Sequence, residues 1–123
     1  MKALQAAREE LDDAGDDIDG GGRLSIVEGD ISNPLSSGEH CSAIANRCNW
    51  RFVARGADPV NRAIHLAAGT ELVKLTTTAH GTAKPGGVYP VELSDSMSLR
   101  SVDGVSWIIH VLGANWQCVL GME

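Results

Sequence analysis

Asp58-Pro-Val-Asn-Arg-Ala-Ile-His-Leu-Ala-Ala-Gly69 is the stretch whose residue types and spacing come closest to a site. It reads as a helix with both ends marked. Asp58 is an N-cap, and Pro59 suits the first helical position because the N–H it lacks would be unpaired there anyway. Val60, Ala63, Ile64, Ala67 and Ala68 fall on one face, and Gly69 is placed to end the helix in a left-handed conformation. Polar residues delivered to a helix N-terminus make an anion site, since the first N–H groups have no intrahelical partner. A phosphate-bearing ligand is the chemistry this predicts.

Other groupings are weaker. Asp17 to Glu28 puts acids at the first, third and twelfth places of a calcium-loop frame, with Gly22 at the sixth. Its fifth place is Gly21, which has no side-chain ligand, and a helix leaving the loop would have to run through Gly29 and Pro34. A solvated acidic loop is the simpler expectation. No Gly-x-Ser-x-Gly elbow or Cys/His nucleophile signature is present, and Gly20–Gly22 is no phosphate loop because no Gly-Lys-Ser/Thr follows. Cys41, Cys48 and Cys118 are an odd, unpaired set of reduced thiols, and with His40, His65, His80 and His110 they lack zinc-ligand spacing. His110 and His65 read as core histidines, and Trp50, Trp107 and Trp116 as core or rim packing.

The positioning elements follow from breakers and periodicity. Lys2 to Leu11 reads as a short helix and Asp12 to Gly22 as an acidic linker, giving an N-terminal segment over 1–22 and one domain over 23–123. Leu24–Val27 and Ser42–Ala45 are short strands, separated by the Asn33–Glu39 loop, and Asn46–Ala57 leads to the Asp58–Ala68 helix. Glu71–Thr78 adds a second helix and His80–Pro90 a loop. Val91–Leu93 is an edge strand, Asp103-Gly104 a turn, and Val105–Leu112 a nearly unbroken apolar run of the kind found in a central parallel strand. Strands alternating with helices predict an α/β fold.

The chain has 123 residues, 43% of them hydrophobic, enough for one core. A net charge of −6 and 4% aromatics argue against direct nucleic-acid or membrane-surface binding. No apolar run spans a bilayer and no secretory h-region opens the chain, so an intracellular location, cytoplasm or nucleus, is the expectation.

Four pieces in order carry a family resemblance: Glu28-Gly-Asp-Ile-Ser32, Cys41-Ser-Ala-Ile-Ala-Asn-Arg-Cys-Asn49, Val60-Asn-Arg-Ala-Ile-His-Leu-Ala-Ala-Gly69 and Trp107-Ile-Ile-His-Val-Leu-Gly-Ala-Asn115, with Gly81-Thr-Ala83 between the last two. Together they resemble the macro domain family of ADP-ribose-binding proteins, and their wording is similar to the macro domains of plant aprataxin-like proteins. The fold implied is a mixed sheet flanked by helices. The ligand implied is ADP-ribose or an ADP-ribosylated protein, with no cofactor.

Residue by residue, the resemblance gives Asp30 the adenine amino group, a role that suits a carboxylate because it only accepts hydrogen bonds. Ile31 would flank the base, Asn49 would contact the distal ribose, and the turn of Arg55, Gly56, Val60 and Asn61 would hold the diphosphate. The departures weigh equally. Ala57-Asp-Pro-Val-Asn61 stands where the family has Gly-Gly-Gly-Val-Asp, so Pro59 removes a donor and Asn61 replaces the acid used by hydrolytic members. Arg47 is either a new phosphate contact or a surface residue. A counterpart of the family's second phosphate loop is missing after Asn115, so the expected domain is divergent and incomplete at its C-terminus. Its open edge would be covered by the N-terminal helix or a second subunit. The expectation is therefore a binding module. The alternatives are a ligand-free structural or docking unit and an ADP-ribosyl hydrolase.

Overall fold

A computed structural model describes residues 17–18, 22–38 and 40–113. The segment read as an N-terminal helix, Cys118 and Trp116 lie outside the described residues, as does most of the acidic linker. Asp17–Ile18 (β1) and Gly22–Arg23 (β2) form a small antiparallel ladder. The Leu24–Val27 strand is not formed. Leu24 is 46% and Val27 50% exposed, and 24–28 has no regular secondary structure; among the described residues no strand pairs with this short run. The calcium frame accordingly has no helix on its downstream side, and no described group of three His, Cys, Asp or Glu residues is placed to hold a metal ion. The Asn33–Glu39 loop contains one 3-10 turn, Pro34–Ser37, ended by Gly38 at φ 77°.

The main sheet holds Ala43–Arg47 (β3), Val88–Glu92 (β4) and Trp107–Val111 (β5) in the order β3-β5-β4. β5 is central, parallel to β3 and antiparallel to β4. The apolar run thus occupies the place its composition predicts, and β4 is an edge that begins three residues earlier than expected. Pro90 is tolerated there because an edge position needs no ladder N–H on its open side. β3 runs two residues further than its sequence pattern suggests, which carries Asn46 into the sheet at 1% exposure.

Pro59–Ala68 (α1) and Glu71–His80 (α2) pack on one face of this sheet, with the short helix Ser98–Ser101 (α3) beside α1, a piece with no sequence signal. Ile44 of β3 and Ile108 of β5 meet Ile64 of α1 and Leu72 of α2 in a core closed by Leu93, Leu99 and Val105. Each such side chain contributes about 1.5–3 kcal/mol by leaving water. The opposite face carries Ala43, Ala45, Trp107, Val88 and Pro90, all exposed, and the half-buried Ile109 and Val111. Trp107 therefore stands at 40% exposure rather than in a core.

The buried face of α1 differs from the apolar stripe. Asn61, Ile64, His65 and Ala68 point inward, while Val60 is 53% exposed and Ala63 and Ala67 are half-buried. The helix is turned because Asn61 has two hydrogen-bond partners inside. Gly69 ends α1 at φ 92°, ψ 172°, a positive-φ extended conformation rather than the expected left-handed turn, and this leads straight into α2. The threonines of α2 are accommodated by back-bonding: Thr76 Oγ1 donates to Leu72 O at 2.8 Å and Thr77 Oγ1 to Val73 O at 2.9 Å.

Candidate functional site

The parallel strands β3 and β5 end side by side, and the chain leaving each borders a cleft of about 1010 Å³. Arg47, Cys48, Asn49 and Trp50 follow β3 along its wall, and Leu112 and Gly113 follow β5. Arg55, Ala57, Asp58, Pro59 and Asn61 close it at the start of α1, with Pro85 on the rim. A crevice beyond the carboxyl ends of parallel strands is where open α/β sheets hold ligands.

Asn61 fixes this corner. Its Oδ1 accepts from Arg55 N at 3.0 Å and its Nδ2 donates to Arg47 O at 3.0 Å, so one amide ties the end of β3 to the loop before α1. A carboxylate could make only the first of these bonds. Asp58 accepts from Asn61 N at 3.2 Å and caps α1, while Asp58 O receives Arg62 N. With Pro59 lacking an N–H, little of the helix N-terminus is left for an anion. Positive charge at the cleft comes from Arg47 and Arg55, both exposed, and no described carboxylate forms an ion pair with either.

Asn49 shapes the opposite wall. Its Oδ1 accepts from Arg51 N and Val53 N, each at 3.2 Å, and its Nδ2 donates to Val53 O at 2.7 Å, leaving one amide hydrogen for a ligand. Inside this clamp Phe52 adopts φ 59° and is fully buried, edge-on to Tyr89 at 5.2 Å and tilted against His110 at 5.4 Å. Trp50 lies outside, 53% exposed, with the Arg51 guanidinium 4.5 Å from its ring centroid. Burial pushes the Cys48 thiol up, and that of Cys41 too, which keeps both protonated and poorly nucleophilic.

Of the residues named from sequence as ligand contacts, the cleft brings together Arg47, Asn49, Arg55 and Asn61. Asp30 and Ile31 lie outside its walls. Ile31 is 43% exposed, and Asp30 Oδ1 accepts from Ser32 N at 2.9 Å and Ser32 Oγ at 2.6 Å. Those two bonds hold the Asp30 carboxyl below its usual range. Val60 points away, and Gly56 borders a separate hollow of about 350 Å³ together with His65, Leu66 and Val73. Trp50, Asp58 and Pro85 are cleft residues that sequence reasoning missed as ligand contacts. An exposed indole beside Asn49 leaves no periodic signal.

No family model matches the chain. It is 41% identical over 88 residues to transcription factor bHLH140 of Arabidopsis thaliana, a match spanning 71% of this chain and 10% of that protein. Its structure superposes on the Oryza sativa APL macrodomain, solved in complex with ADP-ribose, with a TM-score of 0.79 and 35% identity over 94% of this chain. The fold is that of a macrodomain. An ADP-ribose-binding macrodomain of Dictyostelium discoideum has the same fold, with a TM-score of 0.63 at 24% identity over 93% of this chain. The chain spans about half the length of these macrodomains, 55% of the rice chain and 52% of the Dictyostelium chain. Among the described residues, no helix is long and apolar enough to cross a membrane.

Proposed function

We propose that the chain is a binding module for ADP-ribose or a related adenine nucleotide, free or attached to a protein, held in the cleft beyond β3 and β5. The observation that carries this reading is the placement of Arg47 and Arg55 with Asn49 around one cavity at the ends of parallel strands. The rice macrodomain of the same fold, solved with ADP-ribose, supports it. The two guanidiniums offer forked donors to a diphosphate, replacing the backbone N–H groups that Pro59 and Asp58 take away. The remaining Asn49 Nδ2 hydrogen serves a ligand hydroxyl. The Arabidopsis thaliana and Oryza sativa relatives are both from plants, which fits the resemblance to plant aprataxin-like macro domains.

A second reading, a macrodomain scaffold without ligand, is favoured by one observation: the Asn49 and Asn61 amides are largely spent on backbone, and Asp30 is engaged with Ser32. Hydrolysis has less support, because Asn61 cannot serve as a general base and the carboxylate on the cleft wall, Asp58, is occupied as a cap. Calorimetric titration of the full chain with ADP-ribose separates the two main readings. Saturable binding that falls in Arg47→Ala and Arg55→Ala supports the module. A well-folded chain that releases no heat over the concentration range supports the scaffold.

A further inference from the structure

We propose that the outer face of the main sheet is where a second copy of this chain docks, forming a two-fold dimer. Strand alternation sends the side chains of β3, β5 and β4 to two faces, and α1 and α2 cover one of them. On the other face Trp107 is 40% and Val88 59% exposed, with Ile109 and Val111 half-buried beside them. A contiguous apolar surface of this kind marks an interaction site.

The strand registers fix how the face is laid out. Ala45, Ile109 and Pro90 lie side by side across its middle. At one end Arg47, on the outer edge of β3, flanks Val111. At the other end Glu92, on the outer edge of β4, flanks Trp107. These two are the charged positions of the face, they stand at diagonally opposite corners, and they carry opposite signs.

A face with that pattern is complementary to itself. A two-fold axis through Ile109, lying in the interface and perpendicular to the Arg47–Glu92 diagonal, sets Arg47 of each copy against Glu92 of the other. The same rotation lays Trp107 over Ala45, a large ring on a small residue, and Val111 over Pro90. The two sheets then cross at a steep angle, as in orthogonal sheet packing. The contact closes after two copies, so it builds a dimer rather than a fibre.

Neither charge is firmly committed elsewhere. No described carboxylate pairs with Arg47. The Glu92 side chain is 56% exposed and stands 3.7 Å from Arg100, which also pairs with Asp95 at 3.3 Å and donates to Leu93 O. An exposed pair at that distance contributes little. A strand spacing of about 4.8 Å and a rise of about 3.3 Å per residue make the face only about 15 by 17 Å. That is small for a stable interface, so the dimer is weak and reversible, with a Kd of about 10–100 μM.

Sedimentation equilibrium of the full chain from about 1 μM to about 1 mM tests this. Nucleotide is left out, because Arg47 also lines the cleft. A reversible monomer–dimer equilibrium is expected. Glu92→Arg sets like charges against each other and is expected to weaken it at least about tenfold. Ile109→Asp, on the axis, is expected to abolish it. Combining Glu92→Arg with Arg47→Glu restores opposite signs and is expected to return the affinity to within about threefold of wild type. A monomer over the whole range overturns the dimer. So does a dimer that Glu92→Arg and Ile109→Asp leave unchanged, which would place the contact on another surface. A double variant no tighter than Glu92→Arg overturns the charge-paired arrangement. Recovery in the double variant, with a thermal midpoint like that of wild type, assigns the loss in Glu92→Arg to the contact rather than to folding.

Discussion

Asn46 and His110 face each other across the β3–β5 ladder, with Asn46 Nδ2 3.0 Å from His110 Nδ1. The other side of the imidazole meets Thr76 Oγ1 at 3.2 Å, and that hydroxyl gives its own proton to Leu72 O at 2.8 Å. Both contacts are satisfied by one neutral tautomer, in which Nδ1 accepts from Asn46 and Nε2–H donates to Thr76. A proton on Nδ1 would set two N–H groups against each other in a site with no exposure to water.

Stability is therefore expected to fall in mild acid. Burial, with the neighbouring His65 and His80 adding to it, depresses His110 from 6.5 to about 4, and burial lowers His65 in the same direction. An imidazole that binds protons more weakly when folded contributes stability above its unfolded pKa. That contribution shrinks as the pH drops from 6.5 toward about 4. His110 alone accounts for about 2 kcal/mol between pH 7 and 5. Urea titrations at those two pH values measure it, and a flat profile would contradict the buried neutral histidine.

Asn61→Asp is expected to destabilise the fold by about 1–3 kcal/mol, although it places at this position the acid that the family resemblance leads one to expect. The carboxylate keeps Arg55 N and loses Arg47 O, which leaves a carbonyl and a charge facing each other in a buried corner that already holds Asp58. Denaturant midpoints of Asn61→Asp and Asn61→Ala, compared with wild type, test this. An unchanged midpoint in the aspartate variant would show that the amide is not a staple.

On the proposed reading, ligand affinity is expected to depend on salt, because Arg47 and Arg55, which would meet the phosphates, are exposed. Arg47→Ala and Arg55→Ala should each weaken ADP-ribose about tenfold and flatten the dependence. Calorimetry at two ionic strengths measures both effects.

Pro59→Ala returns an N–H to the first turn of α1 beside the cleft. Tighter diphosphate binding, by a few-fold, is expected, together with a stability loss of less than about 1 kcal/mol from the freer unfolded chain. Weaker binding in this variant would show that the helix N-terminus is not in reach of the phosphates.

Asp58 as cap, Pro59 at the first position and the long apolar run of β5 were legible in the sequence, and they lead to an α/β arrangement with a cleft beside the start of α1. These signals act between residues a few positions apart or through the composition of one segment, so the chain states them locally. Which way α1 faces was decided elsewhere, by the Asn61 bond to Arg47 O, fourteen positions away. Leu24–Val27 has strand composition yet forms no strand, since strand formation depends on pairing with another segment, which composition does not record. The surroundings of Asp30 and Trp50 are also set by hydrogen bonds that composition does not record. The carboxylate satisfies itself on Ser32 outside the cleft, while the clamp made by Asn49, Phe52 and Ala83 turns an indole expected to pack toward water. The sequence alone determined where α1, α2 and β5 lie and how α1 begins. Tertiary structure decided which side chains share the cleft, because that depends on hydrogen bonds and burial between segments that no local pattern records.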